Sequence, residues 1–205
     1  MSHASAIAAA LCIATASLLA QVPPSPSAAG TLATQRVAGA GSAATIVVTL
    51  SSAMAHGPLP LPYSDYGEKI SPAVHWTGVP GTARSIALVV EDPDAQEPKP
   101  FVHWLLYNLP ATITSLPEAL PALPRLPELA GALQGRNSKG TIGYFGPRPP
   151  TSDPAHHYHF QIFAVTEMLP LLPSASREAF LAALNGRVVA TGDLVVTFHA
   201  PLYAR

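Results

Sequence analysis

The sequence predicts a mainly β protein, an antiparallel sandwich with a helix at its periphery. Three observations carry this. Short runs dense in β-branched and aromatic residues recur along the chain, the pattern of strands buried on one or both faces. The chain holds 23 prolines, and proline is excluded from helix interiors because it lacks an N–H and clashes with the preceding turn. Only one segment has clear helical spacing, and it follows most of the strands.

The strand candidates, in order, are "TIVVTL" (45–50), "SIALVVE" (85–91), "FVHWLLYN" (101–108), "HYHFQIFAV" (157–165) and "DLVVTFH" (193–199). Turns rich in glycine and proline separate them, such as "TGVPGTARS" (77–85) and "GYFGPRPPTSDP" (143–154). The helix is "SREAFLAALNGR" (176–187), with Ser176 at its start, Phe180, Leu181 and Leu184 on one face, and Gly186 placed to end it. Between 109 and 127 the pair Leu-Pro occurs five times. Proline at that density removes ladder donors, so the stretch reads as a long surface loop of polyproline character. A ligand for a proline-recognising domain is the functional alternative to a plain connection.

Residues 1–35 contain no Lys, Arg, Asp or Glu. Within them "ASAIAAALCIATASLLA" (4–20) is small and apolar, and "QVPPSPSAAG" (21–30) is a Pro/Ser linker. This predicts a signal peptide with cleavage after a small residue such as Ala16, Ala20 or Ala29, and hence a periplasmic or secreted protein. The basic n-region is missing. The stretch is short for a permanent membrane span and rich in Ala, Ser and Thr. The domain boundary is placed at Arg36, with residues 36–205 as one domain large enough to bury a full core. The single cysteine, Cys12, lies in the leader, so the mature chain has no disulfide to form.

The charge balance is 11 basic against 12 acidic residues, which is far from that of a nucleic-acid binder. No G-x-S-x-G elbow, P-loop, H-E-x-x-H or C-x-x-C motif is present. What remains is polar residues inside apolar strands. Simple alternation puts Phe101, His103, Leu105 and Tyr107 on one face of their strand, and Val102, Trp104 and Leu106 on the other. In "AHHYHF" it puts His156, Tyr158 and Phe160 on one face, and His157 and His159 on the other. Three histidines split this way do not meet one metal from a regular strand. The prolines of "EDPDAQEP" (91–98) pre-order a turn that carries Asp92 and Asp94. The glycine-proline loop at 143–150 has amides that suit an anion, with Arg148 adding charge.

Taken together, "SPAVHWTGVPGTARSIALVVEDPDAQ" (71–96), "FVHWLLYNLPA" (101–111), "GALQGRNSKGTIGYFGPRPP" (131–150) and "HHYHFQIFAV" (156–165) resemble the phosphatidylethanolamine-binding protein family in its bacterial Raf kinase inhibitor-like branch. The specific signal is the ordered set D-P-D-A, H-W, G-x-x-G-P-x-P-P and H-x-Y. The resemblance spans roughly residues 43–205. It implies two antiparallel sheets packed as a Greek-key-like sandwich with one or two peripheral helices, and a small anion pocket at one end. Carried over by motif, the pocket residues are Asp92, Asp94, His103, His156 and Tyr158, with Gly143, Gly146 and Pro147 as a rim. The implied ligand is a small phosphorylated or anionic group of the phosphoethanolamine type, with no cofactor and no metal. Imidazole N–H, tyrosine O–H and loop amides suit a phosphate. The aspartates are expected to orient His103 and favour its protonated form, or to receive an ammonium group. Gln96 stands where the family usually has proline, and His157 where it commonly has arginine. The branch name adds a second reading, an inhibitor of a protease or other protein partner. An Asp/His hydrolase ranks third, for want of a nucleophile held by a base.

Overall fold

The computed structural model describes Met1 and residues 31–37, 44–96 and 100–202. In chain order the elements are α1 (Ala33–Arg36), β1 (Ala44–Thr45), β2 (Val47–Leu50), β3 (Val74–Thr77), β4 (Ser85–Asp92), β5 (Phe101–Pro110), β6 (Ser115–Leu116), β7 (Arg125–Leu126), β8 (Ala132–Gln134), β9 (His156–Val165), α2 (Arg177–Leu184) and β10 (Val188–Phe198). They build two sheets, one of seven strands ordered β1-β10-β9-β4-β5-β8-β7 and one of three ordered β2-β3-β6. Every ladder is antiparallel except β1 on β10.

All five predicted strands are present. "TIVVTL" is divided at Ile46, whose N–H donates to Thr191 O at 2.7 Å, so β1 joins the large sheet and β2 the small one. One face of the large sheet presents Leu88, Val90, Trp104, Phe160 and Ile162 to Val48, Leu50, Val74 and Trp76 of the small sheet. The other face presents Ala87, Val89, Leu105, Tyr107 and Phe163 to Phe180, Leu181 and Leu184 of α2. Each such side chain contributes roughly 1.5–3 kcal/mol by burial. Both faces being covered explains why β4 is buried along its whole length. The helix runs as predicted, with the Ser176 hydroxyl accepting from Ala179 N at 3.3 Å. Among the described residues no helix is long and apolar enough to cross a membrane.

The folded unit begins before the boundary placed at Arg36. Ala33 and Val37 are buried beside α2. Ala33 N donates to Glu91 Oε2 at 2.8 Å, and Thr34 N donates to Gln161 Oε1 at 2.8 Å. Arg177 Nη2 donates to Thr31 O at 2.8 Å. The reason is local: Glu91 and Gln161 sit fully buried on an apolar face, and buried acceptors need donors. Residues 2–30, with the expected signal peptide, lie outside the described residues.

The Leu-Pro stretch is a mostly exposed connection, as predicted, with Leu116 and Leu126 as its buried anchors. Gln134 of β8 ties it down. Its Nε2 donates to Pro121 O and Leu123 O, both at 2.8 Å, while its Oε1 accepts from Trp104 Nε1 at 2.7 Å. Gln134→Leu leaves those partners unmatched, and an unsatisfied buried polar group costs about 1–3 kcal/mol. We expect a loss of that size in urea unfolding, together with faster tryptic cleavage after Arg125. An unchanged cleavage rate would refute the role given to Gln134.

Candidate functional site

The site grows from an irregularity in β5. In the β4–β5 ladder Val90 faces Trp104 but Glu91 faces Val102, so one residue of β4 spans two of β5. His103 is the extra residue, a β-bulge. Past the bulge the alternation resets. Val102, Leu105 and Tyr107 pack on the α2 side, while Trp104 and Leu106 pack between the sheets. His103 contacts Tyr158, which also lies between the sheets, with ring centroids 5.1 Å apart. His103 and Trp104 therefore share a side, and His103 is separated from Leu105 and Tyr107. This corrects the simple alternation.

A cavity of about 230 Å³ opens where the end of β4 and the starts of β5 and β9 meet the loop before β9. Asp92, His103 and His156 line its interior, and the rings of Phe101 and Phe145 flank His103 at 4.7 and 5.8 Å between centroids. Gln96, Lys139, Arg148 and Asp153 are its other polar lining residues. Lys139 Nζ stands 5.9 Å and 5.6 Å above the Phe101 and Phe145 rings, a cation–π arrangement. Asn137 holds that loop by accepting from Lys139 N at 3.0 Å and donating to Gly143 O at 3.1 Å. Arg148 donates to Asp65 Oδ2 at 2.5 Å and lies over Tyr66.

Asp92 does two jobs. One oxygen accepts from Asp94 N (2.8 Å) and Ala95 N (3.1 Å), closing the D-P-D-A turn. The other lies 2.9 Å from His156 Nδ1. The aspartate thus orients His156 rather than His103. His103 Nδ1 lies instead 2.7 Å from Phe145 O, a carbonyl, and so donates to it. Burial pushes the His103 pKa down to about 4, against the smaller upward pull of the Phe145 carbonyl and Asp92. The expectation of a protonated His103 is overturned, since a ring this deeply buried is neutral at pH 7.

Other motif residues stand outside the cavity. Asp94 accepts from His157 N at 2.8 Å and contacts His157 Nδ1 at 2.7 Å, which pins the turn to β9. Burial raises the Asp94 pKa, but the bonds from His157 outweigh it and the net shift is down. Tyr158 lies beneath His103, with its hydroxyl buried near Asp92 and, among the described residues, in hydrogen-bonding geometry with no partner. Burial first, and then the charge of Asp92, raise that hydroxyl's pKa well above the ordinary tyrosine value, so it stays protonated. Gly143, Gly146 and Pro147 shape the loop without lining the cavity. Gly143 has φ +84°, and a Cβ on Gly146 would stand 2.6 Å from Asp65 N. Pro147 O accepts from Asp65 N at 3.0 Å. The groups that replace this rim are Phe145, Arg148, Pro149 and Pro150. His157 and His159 point away from the cavity to Asp94 and Asp193. Among the described residues no three metal-binding side chains converge. Sequence reasoning missed Lys139 and Asp153, whose only signal was their place in the turn stretches N-S-K-G and S-D-P.

The family model described as "Phosphatidylethanolamine-binding protein" matches residues 49–199. The chain belongs to the phosphatidylethanolamine-binding protein family. Its relatives in that family include a UPF0098 protein of Methanothermobacter thermautotrophicus, 43% identical over 139 residues, covering 68% of this chain and 89% of the relative. The UPF0098 protein YbcL of Escherichia coli is 36% identical over 134 residues, 65% of this chain and 73% of the relative. Among solved structures, that of E. coli YbcL superposes with a TM-score of 0.69 at 31% identity, covering 76% of this chain and 99% of that one. A phosphatidylethanolamine-binding protein homologue from Chlamydia trachomatis gives 0.68 at 32% identity, covering 77% and 99%. The two-sheet architecture is thus that of the family. The family match contains every cavity-lining residue named above, whereas the docked segment 31–37 precedes it.

Proposed function

We propose that this family member is a binding protein for a small phosphorylated group, held in the cavity between Asp92, His103, His156 and Lys139. One observation carries the reading: a single small cavity gathers two imidazoles, two cations and two carboxylates at the motif end of the sheet. Its volume of about 230 Å³ is below the range typical of drug-sized ligand sites, ~300–1,000 Å³, and suits a headgroup better than an acyl chain. Lys139 and Arg148 supply positive charge at the mouth, and among the described residues Lys139 has no carboxylate ion pair. Asp92 and Asp153 give an ammonium group a place beside the phosphate. Binding is favoured over hydrolysis because, among the described residues, no hydroxyl or thiol side chain lines the cavity to act as a nucleophile. The apolar leader adds the proposal that binding occurs in the periplasm or outside the cell.

Inorganic phosphate or O-phosphoethanolamine is expected to shift the His103 and His156 ring signals in an NMR titration, and His103→Ala to abolish the response. Unchanged spectra at millimolar ligand would rule out the reading. Export is checked by N-terminal sequencing of the exported protein, where an intact Met1 would contradict processing.

A further inference from the structure

His103 constrains which phosphate the cavity can take. Its Nδ1 proton is committed to Phe145 O at 2.7 Å, because a carbonyl has no proton to give. In the neutral ring the other nitrogen, Nε2, is therefore an acceptor. It has no hydrogen-bond partner among the described residues, and the ring is 3% exposed and lines the cavity.

The groups around this ring come from β4, β9 and the single loop that joins β8 to β9. β4 contributes Asp92, β9 contributes His156 and the protonated Tyr158, and the loop after β8 contributes Lys139. The same loop adds Phe145, with Arg148 and Asp153 farther along the lining. Among the described residues the carboxylates lining the cavity are Asp92 and Asp153. A fully deprotonated phosphate oxygen at Nε2 would thus set lone pair against lone pair, beside a carboxylate. A hydroxyl at the same place completes a hydrogen bond.

We propose that the cavity selects phosphomonoesters in their monoanionic form, with the remaining P–O–H donating to His103 Nε2 and the charged oxygens turned toward Lys139. This rests on the anion reading above and sharpens it. Phosphodiesters, which include the headgroup of an intact phospholipid, have no such proton and are disfavoured. The natural ligand is then a free phosphomonoester, and His103 is the residue that sets the choice.

The test uses the full chain with methyl phosphate and dimethyl phosphate, followed by calorimetry. The monoester's second proton leaves near pH ~6. Its affinity is expected to fall about tenfold per pH unit above that, so about 100-fold from pH 6.5 to 8.5, below the range where lysines titrate. Binding at pH 8 should take up one proton, read from buffers of different ionisation enthalpy. Dimethyl phosphate does not titrate here, so it reports any pH dependence that arises from the protein rather than from the ligand. It is expected to bind at least about tenfold more weakly than methyl phosphate at pH 6, the scale of one lost hydrogen bond to a buried partner. In His103→Gln the amide N–H can donate, so the preference between the two esters should collapse. Equal affinities in the unaltered protein, or a methyl phosphate affinity flat from pH 6.5 to 8.5, overturn the proposal while leaving anion binding intact. Failure of both probes to bind at pH 6 overturns the anion reading as well.

Discussion

Glu91→Ala is expected to destabilise the domain by about 3–5 kcal/mol, the usual result of breaking a buried ion pair from one side. Glu91 is fully buried on the α2 face of the large sheet, and its Oε1 accepts from Arg177 Nε at 2.6 Å. Its Oε2 accepts from Ala33 N and Gln161 Nε2, both at 2.8 Å. Removing the carboxylate takes the buried partner from a guanidinium that is 7% exposed, leaving it Glu178 at 3.6 Å and the Thr31 carbonyl, and unpairs two further donors. It also removes the anchor of segment 31–37, so protease sensitivity near the N-terminus should rise with the loss of stability. The loss corresponds to a Tm lower by roughly 10 °C for a domain of this size. The double substitution Glu91→Leu with Arg177→Met removes both charges and is expected to recover most of the loss, because the desolvation cost disappears with the attraction. Urea unfolding of the three variants tests this. A single-variant loss below about 1 kcal/mol would mean the pair behaves as a surface contact.

Acidification is expected to remove about 3 kcal/mol of stability between pH 6.5 and 4 through His103 alone. In the unfolded chain a histidine titrates near 6.5, while the buried folded ring titrates near 4. Between those values the unfolded state holds the extra proton, so stability falls as pH falls, by ~1.4 kcal/mol per pH unit. The contribution is complete above pH 6.5 and gone below about 4. Asp94 and Asp65 are both held below the usual carboxylate range, as burial is outweighed by partners. Their share is lost at lower pH, once they protonate. The two effects have the same sign but separate windows. His103→Gln should flatten the stability curve between pH 6.5 and 4 and leave the acid limb below it. Urea midpoints at pH 7, 5.5 and 4 report the difference, and parallel curves for the two proteins would contradict a neutral His103.

The alternation in β9 was legible residue by residue. His156, Tyr158 and Phe160 face the sheet interior as the period-2 pattern demands, and His157 is exposed. In β5 the same rule failed one residue past His103. A bulge has no signature in a run of apolar side chains, because it is decided by how the partner strand pairs, here Val90 and Glu91 against Val102 to Trp104. The rim residues failed for a related reason. Gly143 and Gly146 mark where the backbone must bend or approach another segment, and a sequence does not say whether the object approached is a ligand or, as here, Ala122 and Asp65.

By itself the sequence determined the class of fold, the long strands β4, β5, β9 and β10, the capped helix and the absence of a nucleophile motif, while the resemblance carried by its ordered motifs implied a pocket near D-P-D-A, H-W and H-x-Y. The strands and the helix depend on periodicity, proline and glycine, which are local, whereas the pocket was an implication of the resemblance. Only the tertiary structure decided which nitrogen of His103 is committed, that Asp92 serves His156, that Tyr158 stands behind the cavity rather than in it, and that residues 31–37 belong to the folded unit. Each of these turns on a buried polar atom finding, or lacking, a partner from a segment distant in the chain. That pairing is imposed by desolvation in the assembled core, and no single stretch of sequence contains both halves of it.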